Sequence, residues 1–448
     1  MDTETLPRVA AHEDALRERD ILCFSHDWSG DPLSKTHLMR LLARDNRILW
    51  VNSIGYRTPS PTRADVRRAF RKLAAAARPI REVEPNIFVL NPLAIPAYGS
   101  PAIQAINRHL IRHRARCAMR RLGFRRPINW IFNPAAEVIA GALDDDLLIY
   151  HCVDEYTAFS GVQAQSLAEM EQRLLRRADL VIVSSEPLYQ SKASQNPHTV
   201  LVRHGVDLEH FRKALAPETR IPASIAALPR PVIGFFGLIA DWVDVELMAW
   251  VAEHFSTGSL VVLGKATTEL SALQRLPNVH LLGRVPYAEL PAYCKGFDVA
   301  LNPFRINHLT LNANPLKVRE YLAAGLPVVS TAIPEVEILG QCRIAADAAS
   351  FVQEVAAALA NPGPSATRSE AMRSESWEAR LDEIRHHLAA LGLTAIQAGR
   401  DGEPERRGLS LPRTSGRSRP DQGLTASAPQ VPLVAPCPDG APRAPKDC

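Results

Sequence analysis

One stretch concentrates usable chemistry: Asn312-Ala-Asn-Pro-Leu-Lys-Val-Arg-Glu-Tyr-Leu-Ala-Ala-Gly-Leu-Pro-Val-Val-Ser330. Pro315 suits the first turn of a helix, where its missing N–H costs nothing. The free amides of that turn, reinforced by the helix dipole, form an anion site suited to a diphosphate. Lys317 adds a point charge there, and Glu320, one turn on, can accept hydrogen bonds from ribose hydroxyls. Asn312 and Asn314 can donate and accept hydrogen bonds but supply no negative charge. Gly325 is placed to end the helix in the left-handed conformation, and Pro327 to start a buried strand. The competing reading is a capped helix that binds nothing.

Other candidates sit just past apolar runs. Leu148-Ile-Tyr-His-Cys-Val-Asp-Glu-Tyr-Thr-Ala-Phe159 puts Asp154 and Glu155 beyond a strand end. Asp154 is a candidate base or acceptor-orienting group, with His151 in reserve; helix capping is the alternative for these acids. Gly234-Phe-Phe-Gly-Leu-Ile-Ala-Asp-Trp-Val-Asp244 places Gly237 where backbone can approach a phosphate, with Lys265 and Lys317 as the nearby cations. Its Gly-x-x-Gly spacing is not Gly-x-Gly-x-x-Gly, which argues against a dinucleotide-dependent oxidoreductase. The loop after the first strand offers His26, Asp27, Gly30 and Lys35.

A basic cluster without acids runs from Pro101 to Ile128. Arg108, Arg112, Arg116 and Arg120 recur every four residues, a stripe along one side of a helix, with Ile106, Leu110 and Cys117 on another face. Such a helix fits docking to anionic lipid headgroups; a solvated basic face is the plain alternative. RNA binding would call for interleaved aromatics, which are missing.

The elements that must position these residues alternate strand and helix, predicting α/β layers with mostly parallel sheets. Strands are expected at Asp20–Ser25, Ile48–Asn52, Asn86–Leu90, Asn129–Phe132, Leu147–Cys152, Leu180–Ser184 and Thr199–Val202. A second series falls at Val232–Gly237, Ser259–Leu263, His280–Leu282, Val299–Asn302 and Pro327–Ser330. Among the expected helices are Ser34–Arg44, Asp244–His254, Tyr287–Cys294 and Leu316–Ala324. The chain of 448 residues is too long for one core. It divides into an extension (1–19), a first domain (20–207), a proline-bearing linker (208–229), a second domain (230–395) whose last helix can pack back on the first, and a disordered tail (396–448). Ligands of open parallel sheets bind beyond the strands' carboxyl ends, so two facing sheets frame a cleft.

Bulk properties narrow the class further. The formal charge of +4 is too small to argue for a nucleic-acid partner. The start of the chain lacks a secretory h-region. The longest apolar run, Pro231 to Ala240, falls far short of the roughly 20 residues that span a bilayer. Seven cysteines are scattered without ligand spacing, so neither a metal site nor a disulfide framework is expected, and a reducing cytosol fits best. No cofactor is expected.

From about 20 to 360 the chain resembles GT-B glycosyltransferases, particularly the retaining family called glycosyl transferases group 1. That family carries two glutamates eight positions apart, then Gly-x-Pro-Val. Glu320 matches the second, which the resemblance assigns to the nucleotide ribose; the first falls on Asn312, at the place that usually contacts the sugar. The Asn-Pro-Leu-Lys-x-x-Glu-Tyr-Leu form of this chain matches one branch of the family more closely. His204-Gly-Val-Asp207 looks like the family's Asn-Gly-Val-Asp before the domain crossing. Val279-His-Leu-Leu-Gly-Arg-Val-Pro-Tyr-Ala-Glu-Leu290 looks like its base-binding strand end, so backbone near Arg284 and Val285 would hold the nucleobase. Many relatives place an Arg and a Lys after Gly237; this chain has neither. The resemblance implies two Rossmann-like domains and transfer of a sugar from a UDP- or GDP-linked donor to a saccharide or lipid-linked acceptor. Cell-surface polysaccharide assembly, at the cytoplasmic side of the membrane, is the implied setting. An epimerase or hydrolase on the same fold, or a nucleotide-binding protein of weakened activity, are the alternatives.

Overall fold

The computed structural model describes residues 16–55, 74, 76, 78–95 and 100–391. The expected tail from 396 and most of the expected N-terminal extension lie outside the described residues.

Short runs of β-branched and large aliphatic residues, buried on both faces, build two sheets. The first contains β1 (Asp20–Phe24), β2 (Arg47–Val51), β3 (Arg81–Glu84), β4 (Ile87–Leu90), β5 (Ile128–Ile131), β6 (Leu147–Cys152), β7 (Leu180–Val183) and β8 (Thr199–Leu201). Their order is β3-β4-β2-β1-β5-β6-β7-β8, parallel except for the β3–β4 pair. The second sheet contains β9 (Val232–Phe236), β10 (Ser259–Leu263), β11 (Val279–Gly283), β12 (Val299–Asn302), β13 (Val328–Thr331) and β14 (Arg343–Ala345). Its order is β11-β10-β9-β12-β13-β14, parallel throughout. Strands β3 and β14 escaped the sequence reading because both are short edge strands bearing charged residues.

Each sheet has its own core. One runs from Leu16 to Val202 and the other from Val206 to Met372. The helix Trp377–Ala390 sends Leu381, Ile384 and Leu388 back into the first core. The expected linker 208–229 is no linker: Phe211, Ala214 and Ile225 are buried in the second core, on short helical turns whose brevity hid their periodicity. The helix expected at Tyr287–Cys294 is divided, a 3-10 turn at Tyr287–Glu289 and an α-helix at Leu290–Gly296, with Pro291 in its first turn.

Four helices matter below: α1 (Ser34–Leu42), α2 (Pro101–Leu122), α3 (Glu186–Lys192) and α4 (Leu316–Ala323). Helix α2 buries a different face from the one that carries Ile106, Leu110 and Cys117. Asn107, Ile111, Ala115, Ala118 and Met119 pack inward, while Ile106 is 47% exposed and Leu110 and Cys117 are only half-buried. Asn107 belongs to the buried face because its side chain exchanges hydrogen bonds with the Ile95 backbone, both at 2.8 Å. No helix among the described residues is long and apolar enough to cross a membrane.

Candidate functional site

Helix α4 starts where the sequence placed it. Pro315 caps it, one position earlier than expected. At the other end Gly325 takes φ +84° and closes the helix with Gly325 N–H on Leu322 O and Leu326 N–H on Tyr321 O. The helix is pinned to β9 through Tyr321, whose Oη accepts from the Phe236 amide at 2.8 Å. This pin directs the first turn of α4 toward the loop that follows β9. Two glycines meet there: Gly237 has φ +127°, Gly264 has φ +146°, and a Cβ on Gly264 would overlap the Gly237 carbonyl. The Lys317 ammonium lies 3.0 Å from where a Cβ of Gly237 would stand. Backbone crossing and cation thus occupy one spot, a chemistry suited to an anion.

A cavity of about 680 Å³ runs from this spot to the first domain, within the usual size range of small-molecule sites. Gly237, Lys265, Arg284, Val285, Asn314, Lys317 and Glu320 line one side, and Gly30, Lys35 and Asp154 the other. The remaining expected residues stand elsewhere. Asn312 is off the wall, its amide donating to His308 O at 2.7 Å. His26 is half-buried and packs edge-on against Trp50, and Asp27 accepts from the Ser53 amide at 3.0 Å. Both shape the loop. His151 is packed against Phe132, 4.9 Å between ring centroids, and burial holds it well below its ordinary pKa. Asn314 reaches the wall, but its side chain is committed to Ser184 O and Arg319. Gly30 lines the cavity without necessity, since an added Cβ would meet only Asp27 O at 3.5 Å.

Burial sets the protonation of the lining groups. It raises the Asp154 carboxyl to about 6, with Lys35 opposing. It lowers Lys317 to about 7, with Glu320 opposing, and raises Glu320 to about 8, with Lys317 opposing. Burial thus disfavours the charged form of each partner. Behind Asp154, Lys192 from α3 joins Glu155 (3.1 Å) and Glu171 (2.7 Å) in a buried cluster. Glu155 thus anchors the loop, while Asp154 is left to face the cavity.

Aromatic residues that the sequence reading passed over complete the walls: Phe159, Phe236, Trp242, Tyr287 and Phe304. The cleft closes at its rim where Arg284 donates to Asp31 (2.6 Å), Ser160 bonds Asp241, and Phe159 meets Trp242 edge-on. Chain order carried no sign of these pairs, since their partners lie far apart in sequence. Among the described residues no group of three or more His, Cys, Asp or Glu is placed to hold a metal ion.

Two parallel-sheet α/β domains with a cleft between their strand ends define the GT-B glycosyltransferase fold. Residues 230–361 match the family model of Glycosyl transferases group 1. Over 224 residues the chain is 28% identical to the Bacillus subtilis (strain 168) protein named "Putative teichuronic acid biosynthesis glycosyltransferase TuaH". That match covers 46% of this chain and 55% of the relative, so it spans about half the relative's length. Among solved structures, sucrose-phosphate synthase from Thermosynechococcus elongatus aligns with a TM-score of 0.61 at 15% identity, covering 84% of this chain and 100% of that one. The catalytic domain of starch synthase IV from Arabidopsis thaliana, bound to ADP and acarbose, aligns at 0.58 and 10% identity, covering 84% and 99%. Anabaena HepE in complex with UDP-glucose aligns at 0.54 and 13%, covering 83% and 100%.

Proposed function

We propose that this protein transfers a sugar, with retention of configuration, from a UDP- or GDP-linked donor to a saccharide or lipid-linked acceptor. The setting is cell-surface polysaccharide assembly at the cytoplasmic face of a membrane. One observation carries the reading: Lys317 and Glu320, at the start of α4, and Asp154, from the other domain, line a single cavity. The second domain holds the nucleotide, and the first presents the acceptor. Helix-start amides and Lys317 stabilise charge building on the departing diphosphate, so no metal or cofactor enters this reading. The match of residues 230–361 to a glycosyltransferase model supports it, and the relative named for teichuronic acid biosynthesis supports the polysaccharide setting.

Transfer with inversion is favoured by one specific feature. A half-buried carboxyl with a pKa near 6 is tuned for general-base work at neutral pH, whereas retention by a front-face route asks little of a base. Incubation with UDP- and GDP-sugars, with and without saccharide acceptors, tests both readings. Acceptor-dependent release of nucleoside diphosphate is expected, and NMR of the product gives the anomer. Under inversion Asp154→Asn lowers turnover by about 10²-fold or more; under retention the loss is much smaller. Rapid hydrolysis or epimerisation of the donor alone, or nucleotide binding without turnover, would sink the transfer reading.

A further inference from the structure

The cleft contains two partly desolvated ammonium groups, and the nucleotide diphosphate accounts for only one. Lys317 sits beside Gly237 at the start of α4, where the diphosphate would neutralise it. Lys35 stands on the opposite wall, in the first turn of α1. Its Nζ makes one long hydrogen bond, 3.4 Å to Tyr156 Oη. It lies 5.9 and 5.8 Å from the ring centroids of Phe132 and Tyr156. Among the described residues it forms no ion pair within 4.0 Å. Asp154 acts on it only at longer range. A half-buried ammonium in this position has lost part of its hydration without gaining a contact counter-ion, which is unfavourable unless a ligand supplies one.

His204 lines the same cavity. Its Nδ1 faces Asn314 O at 2.8 Å and therefore carries the proton. Nε2 is then a bare acceptor, buried and with no hydrogen-bond partner among the described residues. Burial keeps the ring neutral, with a pKa near 3. A neutral imidazole with a sealed Nε2 supplies no charge to an anion, so Lys35 is left as the cation of this wall.

We propose that the first-domain wall binds an acidic sugar, with Lys35 Nζ on its carboxylate or phosphate. This rests on the glycosyl-transfer reading and names the class of sugar handled. The acidic group belongs either to the transferred sugar or to the acceptor, and the same chemistry serves both. The competing role for Lys35, a distant counter-charge for Asp154, would leave acidic and neutral sugars indistinguishable.

Calorimetric titration of the full chain separates these cases. UDP and GDP are titrated first; UDP, UDP-glucose and UDP-glucuronate, or GDP, GDP-mannose and GDP-mannuronate where GDP alone binds, form the donor arm. Glucose, glucuronate and glucose 6-phosphate, added over saturating UDP, form the acceptor arm. In one arm the acidic ligand should bind at least tenfold more tightly than its neutral counterpart. Lys35→Gln should abolish that preference and Lys35→Arg should preserve it, while the affinity for UDP stays constant and certifies folding. Preference confined to the donor arm assigns the acid to the transferred sugar; preference confined to the other assigns it to the acceptor. UDP binding with no acid preference in either arm, or a preference that survives Lys35→Gln, overturns this proposal alone. Failure of UDP and GDP alike to bind overturns the transfer reading and this proposal together.

Discussion

Lys317 and Glu320 are one turn apart on α4, and burial drives both toward neutrality, to about 7 and about 8. A diphosphate beside Lys317 favours its ammonium form and raises its pKa in the complex. The sign of the linkage follows. Below pH 7 the free lysine already carries its proton, and binding is strongest. As pH climbs from 7, the site must take up a proton to bind, so affinity falls, approaching about tenfold per unit until the pKa of the complex is passed. The dissociation constant for UDP or GDP should therefore weaken at least severalfold between pH 7 and 9. Titration heats should vary with the buffer's ionisation enthalpy, and Lys317→Met should flatten the profile. A pH-independent constant without proton uptake would remove Lys317 from the phosphate site.

Helix α2 shows how an element redistributes residues that look equivalent in sequence. The four-residue stripe of arginines is real, but Arg108 turns its Nε to Val138 O at 2.8 Å. Arg112, Arg116 and Arg120 instead border a surface groove with His109 and His113. Among the described residues Asp144 is the acid that borders the groove, 3.0 Å from Arg116, and an exposed pair of this kind is worth about 1 kcal/mol or less. The expectation of docking to an anionic bilayer then rests on these three arginines, each worth about 1 kcal/mol at such a surface. Changing all three to Gln should release the protein from phosphatidylserine vesicles in a sedimentation assay, and raised salt should release the parent. Parent protein that ignores such vesicles, or binds them equally at high salt, would reduce the groove to a solvated face.

Across the whole molecule the domains are tied at the base of the cleft and only touch at its rim. Glu335 is fully buried and accepts from the Glu186 amide, Arg203 Nε and Asn314 Nδ2, at 2.7, 2.7 and 3.4 Å. Ser185 Oγ donates to Asn312 O, and Asn314 Nδ2 to Ser184 O, both at 2.7 Å. The rim pair Arg284–Asp31 is 61% and 48% exposed. These environments predict opposite outcomes for two single substitutions. Glu335→Ala strands buried donors and should cost about 3 kcal/mol. Arg284→Ala should cost less than about 1 kcal/mol. Denaturant midpoints of the two variants check this ordering. Equal losses would mean that the rim, as well as the base, holds the domains together.

The sequence by itself determined the layered α/β pattern, most strands to within a residue or two, and the start of α4 with Lys317, Glu320 and Gly325. Those features are local, since apolar period, proline position and helix termination depend on near neighbours along the chain. It also brought Asp154 and Lys35 forward, because ligand-facing residues follow strand ends. Which polar residues face the ligand was decided by tertiary structure. Asn312, His26, Asp27 and His151 have suitable chemistry, but each is drawn away by a hydrogen bond or ring partner that only the fold supplies. The former linker reads as unstructured because its turns are too short for periodicity, yet Phe211 and Ile225 find their core in residues far along the chain. Pairing across the cleft, as in Asp31 with Arg284 or Glu335 with Arg203, joins positions separated by more than a hundred residues. No local pattern encodes such a contact; it exists only once two sheets have folded and met.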